Sequence, residues 1–168
     1  LKNTIAEDFS SVIHNLRDSG CKICSTDSTI YIKGPTRPRA IDTIRTHPYP
    51  GFPTDMQAQM VTYLSVAAGT SIMVETVFEN RYMYVEELNK MGANIKLEGR
   101  VALISGVPKL TGANINARDL RGGAALVLAG LSAVGTTVVN GVHHIDRGYE
   151  SIETTLKKVG ADIERIQS

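Results

Sequence analysis

The sequence predicts an α/β (α+β) fold assembled from repeated units, an incomplete set holding about two to two and a half of three. Two observations lead there. Three segments share one design, an amphipathic helix, a closing Gly and an alternating strand. A second repeat sets Gly69-Thr70 and Gly135-Thr136 66 residues apart, and the same spacing carries Asp55 onto Arg121 and Arg81 onto Arg147. A repeat ordinarily keeps its apolar positions and lets polar ones drift. Here the kept positions hold charges beside Gly, Thr and Asn.

In chain order, Phe9, Val12, Ile13 and Leu16 form the apolar stripe of the first helix, which runs to Ser19-Gly20 and then to Cys21-Lys-Ile-Cys24. Strands follow at Thr29–Lys33 and 40–46, separated by a turn over 34–39. The loop 46–53 contains three prolines and is stiff. A more apolar helix covers about 55–68, with Thr54 as N-cap, Gln57 completing a capping-box pattern, and Met56, Met60, Tyr63, Leu64 and Ala67 as its buried stripe. A strand covers 71–78. Val85, Leu88 and Met91 then lead through Gly92 to a strand at 93–97, followed by strands at Val101–Ser105 and 114–117. The second apolar helix, about 121–134, is enclosed on most sides, and a strand follows at 136–142. Ile152, Leu156 and Val159 end at Gly160 and a strand at 161–166. Each closing Gly suits the left-handed conformation that ends a helix. Only the middle unit is complete, so a closed three-unit domain needs sequence beyond both ends. A first residue that is Leu rather than Met agrees with a piece of something longer.

The 168 residues suffice for one domain with a real core, and a net charge of +1 gives no bulk electrostatic case for nucleic acid. No apolar run reaches the roughly 18 residues of a membrane span. Leu1-Lys2-Asn3-Thr4 lacks a signal-peptide pattern, and the setting expected is cytoplasmic. Cys21 and Cys24 form a C-x-x-C without a second pair. They read as two positions of a short strand facing opposite ways rather than as a redox or zinc site.

Three cations and one carboxylate stand out. Arg121 opens a helix just after Asp119, against the dipole, and Gly122-Gly123 follow at about 1 kcal/mol each relative to Ala. An Arg, two residues without side chains and free N–H groups suit a carboxylate or phosphate; an exposed Arg held by Asp119 is the other reading. Asp55, also at a helix start, is favourable there without any function. Arg81 and Arg147 lie in equivalent loops before helices, where sites gather. His143 and His144, at a strand end, point opposite ways and suit no metal, and His47 reads as a loop residue.

Phe52-Pro-Thr-Asp-Met-Gln-Ala-Gln59, Phe78-Glu-Asn-Arg-Tyr82, Asp119-Leu-Arg121 with Leu126-Val-Leu-Ala-Gly130, and His144-Ile-Asp-Arg-Gly-Tyr-Glu150 together resemble the UDP-N-acetylglucosamine 1-carboxyvinyltransferases of the enolpyruvyl transferase family, from about Phe9 to Ile166. The resemblance implies two similar domains, each an inside-out α/β barrel of three units, with the active site in the cleft between them. It implies transfer of an enolpyruvyl group from phosphoenolpyruvate to the 3-hydroxyl of UDP-N-acetylglucosamine with release of phosphate, no metal or organic cofactor, and inhibition by fosfomycin. Asp55 matches the carboxylate that accepts the hydroxyl proton. Arg81, Arg121 and Arg147 match arginines that hold phosphoenolpyruvate, and Val77 matches a backbone contact to the sugar nucleotide. Residues 1–168 then form most of the C-terminal domain. The family's Cys- or Asp-bearing loop, its active-site Lys and another phosphate-binding Arg are missing, as is the N-terminal domain. Gly122-Gly123 replaces a slightly bulkier pair, with little effect expected. The fragment alone is expected to be inactive and to self-associate through exposed apolar surface. A 3-phosphoshikimate 1-carboxyvinyltransferase and a non-catalytic binding module on the same fold are the competing readings.

Overall fold

The computed structural model describes residues 1–166. In chain order its elements are α1 (Ser10–Asp18), β1 (Lys22–Thr26), β2 (Thr29–Lys33), β3 (Thr43–Arg45), α2 (Gln57–Leu64), β4 (Thr70–Val74), α3 (Val85–Lys90), β5 (Asn94–Glu98), β6 (Val101–Ser105), β7 (Asn114–Asn116), α4 (Leu120–Ser132), β8 (Val138–Asn140), α5 (His143–Asp146) and α6 (Ile152–Lys157). A 3-10 turn over Thr54–Met56 leads into α2.

The three helix–Gly–strand segments close alike. Gly20, Gly92 and Gly160 all have positive φ. The residue after each donates its N–H back across the last turn: Cys21 to Leu16, Ala93 to Leu88 and Ala161 to Leu156, at 3.0, 3.1 and 3.1 Å. This 6→1 bond is the Schellman closure, which satisfies a carbonyl the helix would otherwise leave bare. Two of the three copies continue as hairpins, β1 with β2 and β5 with β6. In the third, the strand expected at 161–166 does not form. Its alternating pattern matches the others, but no neighbouring strand lies beside it among the described residues, and a strand is a property of a ladder.

The second repeat is a parallel pair with a helix between its strands, β3–α2–β4 and β7–α4–β8. β4 continues into a mixed sheet of order β3-β4-β6-β5. The helices lie at the centre, where Ala58, Val61, Leu64, Ala125, Leu126 and Ala129 are at most 1% exposed. Each fully buried Leu is worth roughly 1.5–3 kcal/mol, so packing rather than propensity holds α2 and α4. The described residues close no barrel. Leu128 and Leu131 on one flank of α4, and Val134 just past its end, face solvent, and a cavity of about 390 Å³ opens beside them, lined by Gln59, Leu128, Tyr149, Ile152 and Leu156 among others. No helix among the described residues is long and apolar enough to cross a membrane.

Several local expectations need correction. Thr54 does not cap α2; its hydroxyl donates to Glu75 Oε2 at 2.9 Å, and Gln57, buried, accepts instead from the Tyr84 hydroxyl at 2.8 Å. Met56 is exposed, outside the buried stripe, as are Phe9 and Val159 in theirs. α2 ends at Leu64, because the Ser65 hydroxyl takes the Thr62 carbonyl at 2.6 Å and Ala68 turns to donate to Pro38. The strand expected over 71–78 stops at Val74, since the N–H groups of Val77 and Phe78 are spent on the Glu75 carboxylate. His143 and His144 lie in the short helix α5, ring centroids 4.1 Å apart, rather than on opposite faces of a strand. The two cysteines do divide as a short strand requires: Cys21 is buried and Cys24 exposed, both as free thiols. Cys21 packs beside the Tyr63 hydroxyl, whose pKa burial pushes up to about 12.

Candidate active site

Asp55 sits in the 3-10 turn before α2, and Arg121 in the first turn of α4. The helices run side by side, touching again where the Thr62 hydroxyl donates to the Ala125 carbonyl at 3.4 Å. Their N-terminal ends therefore open on the same side. Asp55 is shared there between two guanidiniums, with Arg81 Nη2 2.6 Å from Oδ1 and Arg121 Nη2 2.7 Å from Oδ2. The hydrogen bond from Arg121 is the main cause that holds the Asp55 carboxyl below its ordinary range, and Arg81 adds to it. The same bond raises the Arg121 pKa. Chain folding thus brings three of the four charged positions to one point.

Aromatic rings back both arginines. The Arg81 guanidinium lies 4.6 Å from the centroid of Phe78, and Arg121 lies 5.8 Å from that of Tyr149, cation–π distances. The Tyr149 hydroxyl accepts from Arg121 Nη1 at 3.4 Å and from Gln59 Nε2 at 3.1 Å. Arg81 Nε is buried and has no partner among the described residues. Phe78 and Tyr149 lie inside two of the family-like strings, but neither charge nor periodicity marks them, and their backing of the arginines shows only in the structure.

Arg147 is not in a loop equivalent to that of Arg81. It closes the C-terminal end of α5, its N–H donating to the Ile145 carbonyl and its exposed side chain making no ion pair or hydrogen bond among the described residues. It lies two residues before Tyr149 on the same turn of chain. Val77 is exposed; its N–H is taken by Glu75 Oε1 at 2.8 Å, which leaves its carbonyl for any ligand.

The two amides of Gly122-Gly123 are not free for an anion. Gly122 N–H donates to Asp119 Oδ1 at 2.7 Å and Gly123 N–H to the Asp119 carbonyl at 2.9 Å, so Asp119 caps α4 rather than holding Arg121. The glycines serve packing instead. A Cβ on Gly122 would lie 2.6 Å from Asp119 Oδ2, and one on Gly123 2.7 Å from Ile145 Cγ1. A bulkier pair therefore needs its neighbours to shift.

The adjoining ends of α2 and α4 thus bring two aromatic-backed guanidiniums and the carboxylate between them to one point, and planar guanidiniums are matched in shape to carboxylate and phosphate groups. The chain belongs to the EPSP synthase (3-phosphoshikimate 1-carboxyvinyltransferase) family, whose model matches residues 1–156. UDP-N-acetylglucosamine 1-carboxyvinyltransferase 2 of Caldanaerobacter subterraneus subsp. tengcongensis is 58% identical over 162 residues, covering 96% of this chain and 39% of that protein. UDP-N-acetylglucosamine 1-carboxyvinyltransferase of Geobacter metallireducens is 48% identical over 167 residues, covering 99% and 40%. The chain thus spans about 40% of the length of the curated relatives it matches. Among solved structures, the enolpyruvyl transferase NikO from Streptomyces tendae superposes with a TM-score of 0.83 at 26% identity, over 93% of this chain and 36% of that one. EPSP synthase from Acinetobacter baumannii shares the fold, with a TM-score of 0.71 at 20% identity over 95% and 37%.

Proposed function

We propose that this chain supplies one wall of the active site of a larger cytoplasmic enzyme that transfers the enolpyruvyl group of phosphoenolpyruvate to the 3-hydroxyl of UDP-N-acetylglucosamine and releases phosphate, the first committed step of peptidoglycan synthesis. The supporting observation is Asp55 held between Arg81 and Arg121 at 2.6 and 2.7 Å, in a chain 48–58% identical to relatives that bear that enzyme's name. Arg81, Arg121 and the exposed Arg147 take the phosphate and carboxylate of phosphoenolpyruvate, for which planar guanidiniums are matched. Asp55 accepts the proton of the attacking hydroxyl. The carbonyl of Val77 meets the sugar nucleotide. The reaction needs neither a metal nor an organic cofactor.

The resting geometry adds a sequence of events. A carboxylate clasped by two guanidiniums is a weak base, as its lowered pKa states. An incoming phosphate or carboxylate competes for the same N–H groups. Each one it draws away returns basicity to Asp55, so binding of the anion prepares the acceptor for the hydroxyl.

The test is phosphate release by the full-length protein from phosphoenolpyruvate, with UDP-N-acetylglucosamine or shikimate 3-phosphate as acceptor. Release with the first alone is expected. Release only with the second, the activity named in the family's description, would replace this reading. Residues 1–168 by themselves are expected to release none; turnover at the full-length rate would overturn the proposal that the site is shared with another domain.

A further inference from the structure

Glu75 is 1% exposed, just past the end of β4, and its carboxylate accepts four hydrogen bonds. Oε1 accepts from Thr46 Oγ1 at 2.8 Å, Val77 N–H at 2.8 Å and Phe78 N–H at 3.1 Å, and Oε2 accepts from Thr54 Oγ1 at 2.9 Å. The donors belong to two separate loops. One, 46–54, ends at Asp55. The other, 75–81, carries Val77, then Phe78 against the Arg81 guanidinium, then Arg81 itself. Thr46 and Thr76 also join the two loops, with Thr76 N–H donating to Thr46 Oγ1 at 2.8 Å and the Thr76 hydroxyl to the Thr46 carbonyl, but among the described residues only Glu75 ties Thr54, the neighbour of Asp55, to the amides of Val77 and Phe78.

The repeat tells whether the fold itself asks for a carboxylate here. Thr46 N–H donates to the Val74 carbonyl at 3.0 Å, and Ala117 N–H to the Asn140 carbonyl at 2.9 Å, which makes Thr46 the counterpart of Ala117 and Glu75 that of Gly141. In the second copy the junction closes by direct backbone approach. Gly141 has a φ of +72°, and a Cβ there would lie 2.5 Å from the Ala117 carbonyl oxygen. The scaffold thus closes this junction without an acid. The copy that has one is the copy whose following segment stays an open loop bearing Val77 and Arg81, whereas the other folds at once into α5.

We propose that Glu75 is a positioning residue of this site, clipping the two loops together so that Asp55 and Arg81 meet in register and Val77 presents its carbonyl. The inference rests on the proposed function for its kinetic readout but not for its structural one. Glu75→Gln keeps an oxygen for the three Oε1 donors, and the Thr54 hydroxyl can turn to accept from the new amide. Glu75→Leu removes all four bonds. Thr54→Val removes only the link toward Asp55.

The experiment is done on the full-length protein, at a temperature where a denaturation curve shows every variant folded. Glu75→Leu is expected to lower kcat/KM at least tenfold, with KM for UDP-N-acetylglucosamine raised, while Glu75→Gln stays within about threefold of wild type. Thr54→Val, the variant least exposed to misfolding, is expected to lower kcat several-fold with KM for the sugar nucleotide unchanged. Amide exchange at Val77 and Phe78 reads the clip without turnover and is expected to speed at least tenfold in Glu75→Leu and to remain as wild type in Glu75→Gln. Unchanged exchange in Glu75→Leu, or kinetic constants unchanged in a folded Glu75→Leu, would overturn the inference. So would Glu75→Gln falling as far as Glu75→Leu, because charge rather than position would then matter. Absence of transfer by the wild type would instead sink the proposed function and leave the exchange comparison to decide the clip.

Discussion

Replacing Asp55 by Asn should move anion binding and turnover in opposite directions. The substitution keeps the side chain's shape and removes the charge that neutralises Arg81 and Arg121 at 2.6 and 2.7 Å. Stability should barely respond: the Asp55 side chain is 54% exposed, and at that exposure each ion pair is worth about 0–1 kcal/mol. For an anion arriving at the guanidiniums, losing a competing unit charge about 4 Å away is worth about 1–4 kcal/mol between a watery and a protein-surface dielectric. Exposure places the value at the low end, near 1 kcal/mol, or roughly fivefold tighter binding of phosphoenolpyruvate. Loss of the proton acceptor should slow turnover about 10²–10⁴-fold. Calorimetric titration of the full-length variant with phosphoenolpyruvate, beside a phosphate-release assay, measures both. Weaker binding together with turnover within threefold of wild type would refute the idea that Asp55 is at once the resting partner of the arginines and the base.

Arg147→Ala in the full-length protein should raise KM for phosphoenolpyruvate more than for the sugar nucleotide, and equal losses in steady-state kinetics would count against its role. Gly123→Ala should destabilise by about 1 kcal/mol in urea titrations. The helix gains about 1 kcal/mol in propensity, but the new Cβ lies 2.7 Å from Ile145 Cγ1 and 3.0 Å from Ala117 Cβ, and overpacking costs about 1–3 kcal/mol. A higher urea midpoint would contradict the packing role. Residues 1–168 alone should self-associate through the exposed Leu128, Leu131 and Val134 flank, and a monomer mass independent of concentration in light scattering would argue otherwise.

What was legible in the sequence was whatever a short stretch decides for itself. Gly20, Gly92 and Gly160 mark three helix ends because a left-handed closure needs a residue without Cβ, and all three close with the same bond. The strands Thr29–Lys33 and Val101–Ser105 keep their expected limits because their alternation and their hairpin partners lie within a few residues. The errors arise where a distant group takes a local donor. Thr54 has the letters of an N-cap, yet Glu75 claims its hydroxyl across the fold. The 161–166 stretch has the letters of a strand without a neighbour to make it one. In the candidate site, the repeat said that Asp55 and Arg121 occupy equivalent positions but gave no distance between them, and nothing in the letters announced Tyr149 or the fourfold role of Glu75. A lone charge within the largely apolar run 71–78 was the one available signal for Glu75.

The contact between Asp55 and Arg121 follows from the repeat once α2 and α4 are seen side by side. Equivalent positions at the ends of two packed, equivalent helices approach one another, so whatever residue the repeat places there meets its own counterpart. Two carboxylates would repel, and two guanidiniums would leave uncompensated positive charge where two helix N-termini already supply more. Divergence of the copies into Asp55 and Arg121 makes the junction self-neutralising at 2.7 Å. Arg81 then joins the same carboxylate from a loop rather than from a helix. The carboxylate between the two guanidiniums is half exposed, so each pair is worth only about 0–1 kcal/mol, and under the proposed function an arriving anion has little to displace. Under the proposed function the contrast in burial fits the two roles: Asp55, 54% exposed, is the group that exchanges partners, and Glu75, 1% exposed, is the group that keeps its own.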